Sequence, residues 1–275
     1  MQSMPIRRSY LQWPGGKSHI VSALRAFLPP GRRLIEPFVG ASSVFLNTDY
    51  PEYLLGDANP DLILVHRTLQ AYGEAFIGAC RELFVPENNA PERYYALRQE
   101  FNATQNLWRR AILFVYLNRH GIHGLMRYNR RGAFNTPFGY RRKIYFPEAE
   151  MRLFAEHAKR ASFVHADFRD LMSQARPGDV VYCDPPYVPL SDTANFTEYA
   201  PGGFSWHDHM ALAGYAREIA RRGVTVEISN HRTPATESLY RGAQLVSVRA
   251  PRNIGVQHRQ AARTAEEILA IFWPP

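Results

Sequence analysis

Residues 180–190 read VVYCDPPYVPL: a short apolar run delivers Asp184, Pro185 and Pro186 follow, and Tyr187 closes the turn. A carboxylate after a buried strand emerges at the carboxyl edge of a sheet, where ligands bind in open α/β folds. The prolines fix two φ angles and remove two amide donors, so the segment is stiff and rich in acceptors. Two such acceptors can hold both hydrogens of an exocyclic –NH2 group on a planar ring. Holding both favours the pyramidal nitrogen, whose lone pair leaves the ring and can attack an electrophile. The Tyr187 ring adds a stacking face, worth about 1–3 kcal/mol per base in single-strand complexes. The competing use of the same residues is a purely structural turn.

Other stretches invite ligand readings with less force. WPGGKS, residues 13–18, has Leu11 where a phosphate loop needs a glycine five residues before its Gly-Lys pair, and reads as a turn ahead of a helix. EPFVGASS, residues 36–43, predicts strand, tight turn and helix start, the geometry in which helix N-terminal amides meet a cofactor, but it lacks the three glycines of a dinucleotide fingerprint. Asp57 ends the next strand about twenty residues later, where an acid accepts hydrogen bonds from ribose hydroxyls. Capping the helix that starts in DANPDL is its alternative role.

These residues need elements to hold them. RLIE and EYLLGD predict short strands, and DLILVHRTLQAYGEAFIGACREL and LWRRAILFVYLN carry helical apolar spacing, with Leu107, Trp108, Ile112, Val115 and Tyr116 on one face of the latter. RYNRRGAFNTPFGYRRKIYF suits a hairpin or loop. Strands resume in SFVHADF, DVVYCD, VTVEISN, QLVSV and EEILAIF, around a helix with a Ser205–Asp208 capping box and Gly223 as its stop. The loop SDTANFTEYAPGGFSW, residues 191–206, is expected to be mobile and to close over a bound base. The simplest architecture is a parallel-dominated sheet built from the two chain ends, interrupted by a helical, basic insertion over roughly 59–145.

Composition narrows the classes. A chain of 275 residues with 45% hydrophobic content can bury a substantial core. The first thirty residues hold no continuous apolar run, so an intracellular protein is expected rather than a secreted or membrane-spanning one. Cys80 and Cys183 have no metal-ligand spacing, and the ten histidines form no HExxH pair, so no metal site is expected. Net charge is +8, and its distribution is uneven. Between Glu100 and Glu148 stand nine bases and no acid, namely Arg109, Arg110, Arg119, Arg127, Arg130, Arg131, Arg141, Arg142 and Lys143. Between Glu237 and Glu266 stand five more, Arg241, Arg249, Arg252, Arg259 and Arg263, again without acids. Such segregation suits a polyanion, since neutralised phosphates release counterions.

Taken in order, LQWPGGK, EPFVGASSVFLNTD, GDANPDL, VYCDPPYVPLSDTANFT and ISNH resemble the Dam-type DNA adenine methyltransferases, over nearly the whole chain. The resemblance implies an α/β, Rossmann-like S-adenosylmethionine-dependent sheet with an inserted helical and hairpin target-recognition domain. The catalytic domain would comprise residues 1–58 and 146–275, and the recognition domain 59–145. Trp13, Lys17, Phe38, Gly40, Asp57, Asp167, Phe168 and Asp184 match positions around the cofactor, S-adenosyl-L-methionine. Asp184, Pro185, Pro186 and Tyr187 would serve the reacting amine. His123, Leu125, Arg127, Asn135 and Pro137 would meet DNA bases, with the consecutive Arg141, Arg142 and Lys143 on phosphates. The chain departs from the family where Ser42 replaces a usual glycine, Gln12 a lysine that contacts DNA, and Ile122 and His123 a tyrosine and an asparagine.

The function so implied is methylation of adenine N6 at GATC, on a base flipped from duplex DNA, in the cytoplasm of a bacterial or phage host, with no membrane and no obligate protein partner. Rival readings are a cytosine N4 methyltransferase, a protein glutamine methyltransferase, and a DNA-binding module without turnover.

Overall fold

The computed structural model describes residues 5–13, 17, 21–188, 203–248 and 266–275. Residues 14–16 and 18 of WPGGKS, residues 191–202 of the loop expected to close, and Arg249, Arg252, Arg259 and Arg263 lie outside the described residues. In chain order the elements are α1 (Val21–Phe27), β1 (Arg33–Glu36), β2 (Glu52–Asp57), α2 (Pro60–Arg81), α3 (Pro91–Ala103), α4 (Leu107–His120), α5 (Glu148–Ala158) and β3 (Ala161–His165). Then come α6 (Phe168–Ser173), β4 (Asp179–Cys183), α7 (Trp206–Arg221), β5 (Thr225–His231), α8 (Pro234–Leu239), β6 (Gln244–Val248) and β7 (Glu267–Phe272). No helix among the described residues is long and apolar enough to cross a membrane.

Two compact units are present, one of residues 1–18, 40–47 and 59–165, the other of residues 19–39, 48–58 and 166–275. The second carries six strands of a seven-stranded sheet, in the order β2-β1-β4-β5-β7-β6. Pairing is parallel from β2 through β1 and β4 to β5, and antiparallel where β7 lies between β5 and β6. This is the expected Rossmann-like, parallel-dominated sheet. Every residue of β4 is buried, which explains its unbroken apolar run: a central parallel strand is covered on both faces. Between β4 and β5, α7 starts with the predicted capping box, Ser205 and Asp208 each accepting from the other's backbone, and is followed by Gly223 at φ +89°.

The first unit packs α2 against α4 and α5, and α3 against α4, and also holds β3. Asn59 caps α2 by accepting from the Asp61 and Leu62 amides, so the capping role open to Asp57 falls to Asn59 instead. In α4 the structure corrects the predicted single apolar face. Leu107 is 62% exposed in the first turn, while every residue from Ala111 to His120 is buried, so the helix runs into the core of its unit. The RYNRRGAF stretch forms a minimal hairpin through a Tyr128–Phe134 bridge, beside a second bridge from Gly121 to Phe138. A second correction concerns EPFVGASS. No α-helix follows β1; the chain turns through Gly40 at φ +47° and Ser42 at φ +63°, then forms a single 3-10 turn over Phe45–Asn47. Two left-handed residues so close together cannot open a right-handed helix.

Candidate active site and candidate DNA-reading loop

The Asp184–Tyr187 turn leaves β4 at the carboxyl edge of the sheet and is held from the neighbouring strands. Asp184 Oδ1 accepts from the Ser229 hydroxyl at 2.9 Å, at the far end of β5. The next residue, Asn230, accepts the Val188 amide at 3.1 Å and donates to the Tyr240 hydroxyl at 3.0 Å. His231 then binds the Val188 carbonyl through Nδ1 at 2.9 Å and meets the Tyr187 ring edge-on at 4.8 Å. Tyr187 donates its hydroxyl to Glu267 of β7 at 2.9 Å. Burial, with Asp184 and Glu267 nearby, pushes the Tyr187 pKa well up, so the phenol keeps the proton it donates. Both ends of the turn are thus fixed, and the two prolines remove slack between them. Pro185 is buried and Pro186 exposed, with Asp184 and Tyr187 half-buried.

Phe38, which follows β1, stacks on Phe168 with centroids 5.5 Å apart, and Phe204 approaches both rings at 5.5 Å. Asp167 caps α6, accepting the Arg169 amide at 2.9 Å, and the Arg169 guanidinium reaches Asp167 at 3.1 Å and also binds Asp208. Asp57 terminates β2 as expected. These residues, with Asp184, give the second unit aromatic surfaces beside carboxylates.

In the first unit Trp13 lies against Gly40, where an added Cβ would stand 3.1 Å from the indole nitrogen; Lys17 is buried. His66 supports the same turn. Its Nε2 contacts the Gly40 carbonyl at 2.9 Å and its Nδ1 the Tyr10 hydroxyl at 2.8 Å. Burial lowers the His66 pKa to about 4, so the ring is neutral at physiological pH: Nε2–H donates to Gly40 and Nδ1 accepts from Tyr10.

The residues expected to read DNA converge. Leu125, Arg127, Asn135 and Pro137 line a two-sided loop in which Thr136 donates its hydroxyl to the Leu125 carbonyl at 2.9 Å and accepts the Arg127 amide at 3.2 Å. Ile122 donates its amide to the Pro137 carbonyl at 3.0 Å, and the exposed His123 sits at φ +53° in a 3-10 turn. Asn135 accepts from Arg127 Nε at 2.8 Å, fixing an otherwise exposed guanidinium. Arg142 and Lys143 are exposed and Arg141 half-buried beyond this loop. The charge count needs one correction. Arg109 is paired to Glu100, and Arg110 to Asp61 with contacts of 2.5 and 2.9 Å, so these two bases are neutralised within the protein.

A family model described as D12 class N6 adenine-specific DNA methyltransferase matches residues 13–254. The chain belongs to that family. Proteins named DNA adenine methylase show the same relation. The one from Vibrio cholerae serotype O1 is 48% identical over 272 residues, covering 98% of each chain. That of Escherichia coli K12 is 46% identical over 271 residues, covering 98% of this chain and 97% of the other. That of Serratia marcescens is 47% identical over 270 residues, covering 98% and 100%. The protein is accordingly an adenine-specific DNA methyltransferase.

Residue types alone did not single out several side chains that support this D12 methyltransferase's site. Ser229 and Asn230 were visible only as part of ISNH, because their partners lie more than 40 residues away in sequence. Asn118 is another. It donates to the carbonyls of Gln12 at 2.7 Å and Gly124 at 2.9 Å, and accepts the Gln12 amide at 2.9 Å. Gly124, at φ +68°, leaves room for that contact, since a Cβ there would lie 2.3 Å from the Gln12 side chain. The sign available beforehand was an asparagine inside an apolar helix, which must find buried partners.

Proposed function

We propose that this methyltransferase transfers a methyl group from S-adenosylmethionine to N6 of an adenine flipped out of duplex DNA, at GATC, in the cytoplasm. The observation that carries the reading is the clamped Asp184–Tyr187 turn, a rigid pair of acceptors beside a ring. The Asp184 carboxylate and the Pro185 carbonyl accept the two amine hydrogens, Pro186 keeps the turn stiff, and Tyr187 stacks on the base. A stacked adenine cannot reach such a turn, so the base leaves the helix first. On gaining the methyl the nitrogen sheds a proton, for which the Asp184 carboxylate is the base the turn offers. Positioning and preorganised acceptors supply the rate.

Residues of the second unit suit the proposed cofactor: the Phe38 and Phe168 rings and the strand-end acid Asp57 match a ligand with aromatic and hydroxylated parts. Bound there, S-adenosylmethionine supplies an electrophilic sulfonium methyl that no side chain can provide. Trp13, Lys17, Phe38, Gly40, Asp57, Asp167, Phe168 and Asp184 are assigned to holding it.

Residues 59–145 are assigned to DNA recognition, with His123, Leu125, Arg127, Asn135 and Pro137 at the bases and Arg141, Arg142 and Lys143 at phosphates. A guanidinium donates two parallel bonds to guanine O6 and N7, and such a pair gives about 1–3 kcal/mol of discrimination. Asn135 holds Arg127 ready for that contact. Activity of Arg127→Ala on GATC should therefore fall about 10- to 100-fold, and far less on a site altered at one guanine, so the preference shrinks. Lys143→Ala should weaken both sites alike and reduce the salt slope by about one. Equal losses on both sites for Arg127→Ala, with a changed salt slope, would mean that Arg127 only holds a phosphate.

A further inference from the structure

We infer that Ser229, itself fixed by Tyr182, is a positioning residue that sets the orientation of the Asp184 carboxylate toward the adenine amine. The inference rests on the role proposed above for Asp184 and deepens it.

The geometry comes from the sheet. β4 and β5 pair in parallel with Tyr182 opposite Glu227, so Ser229, two residues beyond Glu227, emerges on the same face as Tyr182 and level with Asp184. The three polar groups form a chain: the Tyr182 hydroxyl lies 3.1 Å from Ser229 Oγ, which lies 2.9 Å from Asp184 Oδ1. Proton counting fixes its direction. Ser229 donates its single hydrogen to Asp184, so in the Tyr182–Ser229 pair Tyr182 is the donor. The Cys183 carbonyl, at 3.5 Å, is the poorer alternative for that hydrogen. Tyr182 and Ser229 are fully or almost fully buried, so water does not compete for these contacts.

This chain controls rotation of the carboxylate about its Cβ–Cγ bond. Asp184 stands at the start of a turn whose far end is held by Asn230, His231 and Glu267, so the backbone is already fixed. Ser229 adds a charge-assisted bond that restrains rotation of the carboxylate. A misplacement of about 1 Å in a reacting group costs on the order of 100-fold in rate.

The test is single-turnover methyl transfer to a GATC duplex with S-adenosylmethionine, measured alongside separate cofactor and duplex affinities and the melting temperature. Ser229→Ala should transfer about 10- to 100-fold more slowly with both affinities within about threefold of wild type. Ser229→Thr, which keeps the hydroxyl, should recover most of the rate. Transfer by a folded Ser229→Ala within threefold of wild type overturns the inference, as does a rate loss matched by an equal loss of cofactor affinity. If Ser229→Ala does not fold, Tyr182→Phe decides: the inference expects slower transfer at unchanged affinities, and a wild-type rate overturns it. Asp184→Asn, run in parallel, separates the two levels. An active Asp184→Asn removes the role of Asp184 itself, whereas an inactive one beside an unimpaired Ser229→Ala removes only the positioning.

Discussion

Asp184→Ala should abolish methyl transfer while leaving duplex binding intact. The carboxylate is assigned as one of two acceptors that hold the amine in its nucleophilic form, and losing one preorganised polar partner of a reacting group costs roughly 100- to 1,000-fold. The substitution would also remove the base proposed for the departing proton, which places the expected loss at or beyond the upper end of that range. DNA affinity draws instead on phosphate contacts, here assigned to Arg141, Arg142 and Lys143, and these carry no information about the reacting base. The check is single-turnover kinetics beside a salt titration of DNA binding. A variant with near wild-type turnover, or one whose turnover falls only as far as its DNA affinity, contradicts the assignment.

The second large effect concerns stability. Glu227 lies in the middle of β5, fully buried, with neither carboxylate oxygen partnered among the described residues. Burial pushes its pKa from 4.5 up to about 8. The folded protein therefore keeps a proton that the unfolded chain releases above about pH 4.5. The contribution to stability is fully present below the unfolded value and is lost as pH rises through about 8. At about 1.4 kcal/mol per pH unit, the difference across that window is on the order of 5 kcal/mol. Glu227→Met keeps the length of the side chain and removes the titration. It should raise the melting temperature strongly at pH 9 and progressively less toward pH 5. His66, His120 and His209, each lowered by burial to about 4, act in the opposite sense. They remain neutral in the fold, and their contribution is lost as pH falls from about 6.5 through 4, equally in variant and wild type. A Glu227→Met effect that does not change with pH would mean the native carboxyl is already ionised.

Much of this molecule can be read along the chain where a short-range rule decides the outcome. RLIE and EYLLGD end at the predicted strand boundaries and DVVYCD ends one residue early, at Cys183, because each leads from buried residues into a turn, and Ser205 with Asp208 caps α7 because a capping box needs only four residues. The failures arose where local backbone geometry or distant partners decide. EPFVGASS looked like a helix start, but two positive φ angles, one of them at Ser42, turn the chain instead. Leu107 fits a helical apolar stripe, yet it stands in the first turn of α4, before the helix enters the core of its unit. Charge counting placed Arg110 in a basic face, whereas Asp61, 49 residues earlier, holds it. The reacting group follows the same division. Asp184 and Tyr187 were legible as residue types in a stiff turn, while the Ser229, Asn230 and Glu267 contacts that hold them depend on which strands pair.

The central claim, that this chain methylates adenine N6 at GATC, is tested most directly by locating the product. The purified protein is incubated with methyl-labelled S-adenosylmethionine and duplexes that contain or lack GATC, and the labelled nucleoside is identified and mapped. The account predicts N6-methyladenine within GATC and almost no label in the duplex without it. Label in N4-methylcytosine, or the same adenine labelling in both duplexes, would contradict it.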